Sequence, residues 1–263
     1  MGTPQTKTAV PTIFGTGHIL YLVISFALII TALVLITIFC KSDKAKMIAI
    51  KVSAAVQLLM IILNNLFVYL WVGHIKLDSL CGTVSFLIAI IALICKKDSS
   101  PMHFVAYTAL FTGLIPTFYP TYIGQGPTIF FPATITSLIH HSLSFYLAML
   151  IFLLGYVKPN IKKWYAWPLG YFGLVAYGVF NIKFRGLGDS MNINSPIIAG
   201  TPFNWFWTAL IFICVYTIFL FVYDSIVNKG NCVLVKWWKC ISSKFKKKET
   251  ASNEEKPSDT DEN

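Results

Sequence analysis

The chain has 263 residues, of which 56% are hydrophobic and only 12% are charged. A soluble globular protein carries about 25% charged residues, because its whole surface faces water. The composition therefore excludes an ordinary soluble domain and predicts an all-α, polytopic membrane bundle. The formal net charge of +10 does not indicate nucleic-acid binding, because the lysines form short clusters between apolar runs, as they do in cytoplasmic loops.

Seven apolar segments are long enough, or nearly so, to cross a hydrocarbon core of about 30 Å. They are predicted at residues 17–40, 47–73, 79–95, 102–119, 133–157, 164–182 and 203–227. The third and fourth are short, and Pro116 interrupts the fourth near its end. The chain thus divides into an N-terminal segment (1–16), a seven-helix transmembrane domain (17–227) and a tail (228–263). The tail is basic at first and then acidic, and its composition predicts disorder.

The distribution of lysine predicts the orientation of these helices. The connections 41–46, 96–101 and 158–163 and the tail together carry sixteen basic residues, whereas the opposite side of the chain carries four. Basic loops remain in the cytoplasm. We therefore predict an N-terminus outside, a C-terminus in the cytoplasm and a multi-pass location in the cell membrane.

Polar side chains collect in the half of the bundle that this orientation places outside. In chain order they are His18, Asn64, Asn65, Cys81, His140, His141 and Asn181. Polar groups at membrane depth usually face a cavity or another helix, so these residues predict an outward pocket that they line. The alternatives are an interfacial anchor for His18 and hydrogen bonds between helices for Asn64 and Asn65.

Cys81 is the cysteine whose position suggests chemistry. It follows an N-cap sequence, Asp78-Ser79, and so falls in the first turn of a helix, where the helix dipole favours a thiolate. A nearby histidine would complete the Cys–His arrangement of an activated nucleophile, whereas an inert packed thiol is the alternative. No ligand spacing supports a zinc site built from Cys81 and the three histidines named above, and no cofactor is expected.

Several short motifs follow one another along the chain. They are Phe14-Gly15-Thr16-Gly17-His18-Ile19-Leu20, Leu80-Cys81, His140, Gly155-Tyr156, Lys158-Pro159, Asn181, the Gly/Asn loop 188–196 and Pro202-Phe203-Asn204-Trp205-Phe206-Trp207. In order and spacing they resemble the YwaF-like integral membrane proteins, which are related to eukaryotic transmembrane Cys/His phospholipid acyltransferase candidates. The resemblance covers most of residues 13–225.

This resemblance implies a lipid acyltransferase that acts at the outer leaflet. Cys81 would be the nucleophile that holds an acyl thioester, and His140 would be its general base, with His141 as the next candidate. The residues alone also allow a second function, that of a substrate-binding membrane subunit of a small-nutrient uptake transporter. Membrane lipids are the expected partners, together with transporter subunits under the second function.

Overall fold

The computed structural model describes residues 14–73, 75–120, 126, 128–196 and 200–228, and in the tail only 232–233, 235–237, 239 and 243. Most of the predicted N-terminal segment (1–16) and of the predicted tail (228–263) therefore lies outside the described residues. Over the residues that are described, the chain is helical and contains no strand. The predicted all-α class is confirmed.

Seven α-helices follow one another within residues 14–228. They are α1 (Thr16–Phe39), α2 (Asp43–Val72), α3 (Leu80–Ile94), α4 (Ser100–Phe118), α5 (Pro132–Leu153), α6 (Ala166–Phe184) and α7 (Trp205–Asn228), with a 3₁₀ turn at Ile161–Lys163 before α6. Each predicted segment corresponds to one helix. Among the described residues, α1, α2, α5 and α7 are long and apolar enough to cross a membrane. α3 has only 15 residues, which span about 22 Å.

Two helix boundaries differ from the prediction by four residues, for local reasons, whereas the others differ by one or two residues. α2 begins at Asp43, because the side chain of Ser42 accepts a hydrogen bond from the backbone N–H of Ala45 and caps the helix. The lysines of the predicted loop 41–46 therefore lie mostly in the first turn of α2. α5 ends at Leu153 rather than at residue 157, because Gly155 adopts a left-handed conformation with φ of 65°, which a helix cannot continue.

The centre of the bundle is formed by α4 and α5, which are mostly buried, whereas α1 and α2 expose many apolar side chains. Leu28 and Leu70, for example, are 65% and 70% exposed, as expected for side chains that face lipid. α5 packs against α1, α2, α3 and α4. It therefore contacts more of the bundle than a peripheral helix could.

Buried polar side chains join α2, α3 and α5 near the middle of their lengths. The side-chain amide of Gln57 donates hydrogen bonds to the hydroxyl of Ser144 at 2.7 Å and to the carbonyl of Ser85 at 3.3 Å. The Ser144 hydroxyl in turn donates to the Ser85 hydroxyl at 2.8 Å. All three residues are fully buried. These bonds fix how the three helices are rotated toward one another.

Hydrogen bonds at each end show that the helices from α2 to α6 alternate in direction. At one end, the α6–α7 connection contacts the α2–α3 connection, since the backbone N–H of Met191 donates to the carbonyl of Asp78 at 2.9 Å. At the other end, the N–H of Asp98 donates to the carbonyl of Tyr156 at 3.0 Å and joins the α3–α4 connection to the end of α5. The lysine-rich connections 41–46 and 96–101 lie at this second end.

The chain divides into two compact units. The first contains the described residues up to Lys158 and Tyr165–Ile213, and the second contains Pro159–Trp164 and the described residues from Cys214 onward. Within the second unit, the carboxylate of Asp224 accepts hydrogen bonds from the side-chain amide of Asn228 at 2.6 Å and from the backbone N–H of Val233 at 2.7 Å. These bonds hold the chain after α7 against the last turns of that helix.

Candidate active site

A cavity of about 310 Å³ lies in the first unit, at the end where α3 and α5 begin. Its polar lining residues are Asn64, Lys76, Ser79, Cys81, Thr112, Ser137, His140, His141, Asn192 and Thr208. Aromatic rings of Phe111 and Phe212 supply much of its apolar surface. The cavity thus combines a thiol, two imidazoles and an ammonium group in one partly apolar chamber, a composition typical of ligand sites.

The position of Cys81 follows from the way α3 begins. Ser79 is the N-cap, and its hydroxyl accepts a hydrogen bond from the backbone N–H of Gly82 at 3.2 Å. A Cβ atom at Gly82 would lie 3.0 Å from the carbonyl oxygen of Lys76, so glycine allows the preceding segment to fold tightly over the first turn. The predicted N-cap is confirmed. Cys81 consequently lies in the first turn of α3, half-buried, in the cavity wall.

The imidazoles of His140 and His141 pack against each other, with ring centroids 4.1 Å apart. Nδ1 of His141 lies 3.1 Å from the carbonyl oxygen of Thr112. Because a carbonyl only accepts, the His141 proton is on Nδ1 and its Nε2 is left as an acceptor when the ring is neutral. Nδ1 of His140 is buried and has no hydrogen-bond partner among the described residues. The pair therefore offers unused hydrogen-bonding capacity inside the bundle.

His18 is used by the fold and does not line this cavity. Its Nδ1 accepts from the backbone N–H of Phe14 at 3.2 Å, and its Nε2 donates to the carbonyl of Thr117 at 2.9 Å. Both ring nitrogens are therefore occupied. The side chain ties the start of α1 to the end of α4, a role that the position of the residue alone did not indicate.

Asn64 and Asn65 point in different directions. Asn64 lines the cavity, and its amide also donates to the carbonyl of Ala133 at 2.9 Å and to the hydroxyl of Thr136 at 3.0 Å. Asn65 instead lines a separate apolar groove of about 360 Å³. Within the part of the chain that the structure describes, its amide bonds to the carbonyl of Ile61 in the same helix at 2.9 Å, and its buried Oδ1 has no partner. Asn64 alone of the two belongs to the site.

Asn181 lies behind the site rather than in its wall. Its side-chain amide donates to the hydroxyl of Ser190 at 3.1 Å, and its Oδ1 accepts from Arg185 at 3.1 Å. The Ser190 hydroxyl donates onward to the carbonyl of Asp78 at 2.9 Å. Asn181 thereby positions the α6–α7 connection over the segment that precedes α3, close in sequence to Cys81.

The α6–α7 connection contributes Asn192 to the cavity, which the sequence reasoning missed. Met191 and Asn192 both have left-handed backbones, with φ of 55° and 57°. Such angles are uncommon outside glycine, and asparagine tolerates them best. Gly178 of α6 makes room for this connection, since a Cβ atom there would lie 2.9 Å from the Met191 side chain. The Gly/Asn content of residues 188–196 was the available signal.

The carboxylate of Asp189 organises the same connection. It accepts hydrogen bonds from the backbone N–H groups of Ser190 at 2.8 Å and Asn194 at 2.9 Å, and from the hydroxyl of Ser195. Partial burial is the largest single influence and acts to raise the pKa of Asp189, but the hydrogen bonds together outweigh it and lower that pKa below its ordinary value. The ionised carboxylate therefore stabilises this part of the cavity wall.

Two further lining residues were not predicted from the sequence: Lys76, in the α2–α3 connection, and Thr208, in the first turn of α7. Among the described residues, no group of three or more His, Cys, Asp or Glu side chains could hold a metal ion.

No protein-family model matches the sequence, and no curated protein or solved structure matches it either. The assignment of a function therefore depends on the residues of the chain itself.

Proposed function

We propose that this chain is a multi-pass membrane enzyme that transfers acyl groups between lipids at the outer leaflet, through Cys81 and His140. One observation carries the proposal: a half-buried thiol in the first turn of a helix lines the same small cavity as two imidazoles. A thiol and an imidazole together form the minimal apparatus for acyl transfer through a thioester. The resemblance to the YwaF-like proteins agrees with this chemistry.

The proposal includes seven membrane spans, with the cavity end outside. Its support is that basic connections lie at the end opposite the cavity, where the positive-inside rule expects the cytoplasm. α3 would be a short span protected by its neighbours, since about half of its residues are buried. Labelling of introduced cysteines with an impermeant thiol reagent tests this. In intact cells, Arg185→Cys is expected to react and Lys97→Cys to remain unlabelled; the reverse pattern would contradict the orientation.

In the first step, His140 accepts the proton of the Cys81 thiol, and the thiolate sulfur attacks the ester carbonyl carbon of a phospholipid. The C–O bond then breaks, and the imidazolium returns the proton to the departing oxygen. The products are a lysophospholipid and an acyl thioester on Cys81. His141, fixed by the carbonyl of Thr112, would orient His140 through their ring contact.

In the second step, the hydroxyl of an acceptor lipid enters the cavity and loses its proton to His140. Its oxygen attacks the thioester carbonyl, the C–S bond breaks, and the proton returns to the sulfur, so the free thiol is regenerated. Lys76 supplies a cation in the same wall and would pair with the phosphate of the donor or the acceptor. The phenyl rings of Phe111 and Phe212 would contact the acyl chain near its ester.

Purified protein in phospholipid vesicles, supplied with a phospholipid that carries a labelled acyl chain and an unlabelled lysophospholipid, tests the mechanism. Cys81→Ser and His140→Ala are expected to abolish transfer of the label, and His141→Asn to reduce it. Cys214→Ser is the control, because that thiol is exposed and lies outside the cavity. Transfer that persists at the wild-type rate in Cys81→Ser would contradict the proposal.

A substrate-binding function is the second candidate, and one observation favours it. Lys76, Asn192 and Thr208 line the cavity and would recognise a small anionic nutrient without covalent chemistry. Under this function, Lys76→Gln would weaken ligand binding, whereas Cys81→Ser would leave it unchanged. The two variants therefore separate the candidates.

A further inference from the structure

A second polar cavity, of about 360 Å³, lies in the first unit at the end opposite the candidate active site. It is formed by the first turns of α2, the end of α3 and the residues that follow α5. Four lysines line it: Lys46 and Lys51 from α2, and Lys96 and Lys97 directly after α3. The candidate active site uses none of these residues.

The charge of this cavity is strongly positive. Asp43 is the single acidic residue among the residues that line it. No lysine of the cavity forms an ion pair within 4 Å with an acidic residue in the part of the chain that the structure describes. Four lysine side chains that line one concave surface place positive charges near one another, and a bound anion relieves their repulsion. The N-terminus of α2, which begins at this cavity, adds its partial positive charge.

The rim of the cavity is apolar. Met47 of α2 and Ile94 of α3 line it, and Ile94 is 74% exposed. Next to them, Ile48 and Val52 of α2 are also exposed and continue the apolar surface along the helix. A soluble anion would gain nothing from these side chains. A phospholipid would use both features, since its phosphate would contact the lysines and its acyl chains would cover the apolar rim.

We propose that this cavity binds the phosphate-bearing headgroup of an anionic phospholipid. A phospholipid headgroup and a soluble phosphate ester offer the lysines the same phosphate, and the apolar rim favours the phospholipid. The lysines act as flexible point charges on the phosphate. Tyr156 also lines the cavity. The inference is independent of the acyl-transfer proposal, because the two sites share no residue.

Native mass spectrometry of the full-length protein tests this inference. The protein is reconstituted in nanodiscs of phosphatidylcholine with a minor fraction of phosphatidylglycerol, and the lipid retained after release is identified. Wild type is expected to retain phosphatidylglycerol in preference to phosphatidylcholine, and added salt is expected to weaken that preference. Lys46→Gln combined with Lys96→Gln removes one charge from α2 and one from the connection that follows α3. Each lysine contributes a factor of about five to the affinity for an anionic lipid, so the double variant is expected to bind phosphatidylglycerol about 25-fold more weakly.

Lys41→Gln combined with Lys44→Gln is the matched control. Both lysines lie at the same end of the chain, but neither lines the cavity. This control is expected to retain phosphatidylglycerol as wild type does, and both double variants are expected to keep the wild-type melting temperature in pure phosphatidylcholine. Equal loss in the two double variants would show a diffuse charge effect and overturn the site. Displacement of the lipid by glycerol 1-phosphate would assign the cavity to a soluble phosphate and overturn the proposed lipid.

Discussion

Replacing Gly113 with alanine tests the close approach of α4 and α5, which places the two imidazoles. A Cβ atom at this position would lie 2.6 Å from the backbone nitrogen of Phe145 and 2.7 Å from the carbonyl oxygen of His141. Both are backbone atoms of α5, so no side-chain rotation can relieve the clash. The two helices would have to separate, and the cavity wall that carries His141 would move with α5.

The magnitude follows from two opposing contributions. Overpacking costs about 1–3 kcal/mol, and the upper value applies here because the obstructing atoms belong to a helix backbone. Alanine also gains about 1 kcal/mol over glycine within a helix. We therefore expect Gly113→Ala to lower the free energy of unfolding by about 2 kcal/mol.

Unfolding of the purified protein in mixed detergent and dodecyl sulfate micelles, followed by circular dichroism, measures this difference. Gly173→Ala is the matched control, because Gly173 lies within α6 and nothing lies within 4 Å of an added Cβ atom there. The control should be as stable as wild type or up to about 1 kcal/mol more stable. If Gly113→Ala were as stable as Gly173→Ala, the described packing of α4 on α5 would be incorrect.

Two further predictions concern Asn64 and Asp189 in the walls of the site, with Asn65 as the control for Asn64. Asn64→Ala is expected to lower the free energy of unfolding by about 1 kcal/mol through loss of its bonds to α5. Asn65→Leu removes a buried oxygen that has no partner among the described residues and should be neutral or stabilising in the same assay. Asp189→Asn is expected to destabilise the protein at neutral pH. The folded-state pKa of Asp189 is lowered. Its contribution to the free energy of unfolding is therefore fully present above the unfolded-state pKa of about 3.9, and it is lost as the pH falls through the folded-state pKa. The wild-type advantage should therefore vanish in acid, and a constant difference at all pH values would contradict this explanation.

The order of the helices could be predicted from the sequence, because each apolar run is bounded by lysines, glycines or prolines that a helix excludes or places at its ends. The N-cap of α3 could be predicted because Asp78-Ser79 offers side-chain oxygens that accept from the first backbone N–H groups of a helix. The rotation of each helix about its own axis could not be predicted from the sequence. Asn64 and Asn65 differ by about 100° around the helix axis, and only packing against α5 decides which of them faces the cavity.

The cavity contained residues that local patterns do not reveal. Asn192 reaches the wall because Ser190 and Met191 bond to the carbonyl of Asp78, a contact between segments more than one hundred residues apart in sequence. His18 was expected in the pocket because of its depth, but its two hydrogen bonds use both nitrogens for helix packing. Depth along a helix is readable from sequence, whereas the partner of a polar group is not.

The most direct test of the proposed chemistry is detection of an acyl thioester on Cys81. Protein purified from membranes is digested and analysed by mass spectrometry, with and without neutral hydroxylamine, which cleaves thioesters but spares oxygen esters. We predict a fatty acyl mass on the peptide that contains Cys81, its release by hydroxylamine, and its absence from His140→Ala. An unmodified Cys81 peptide in wild-type protein supplied with phospholipid, under conditions that trap the intermediate, would contradict the role of Cys81 as nucleophile.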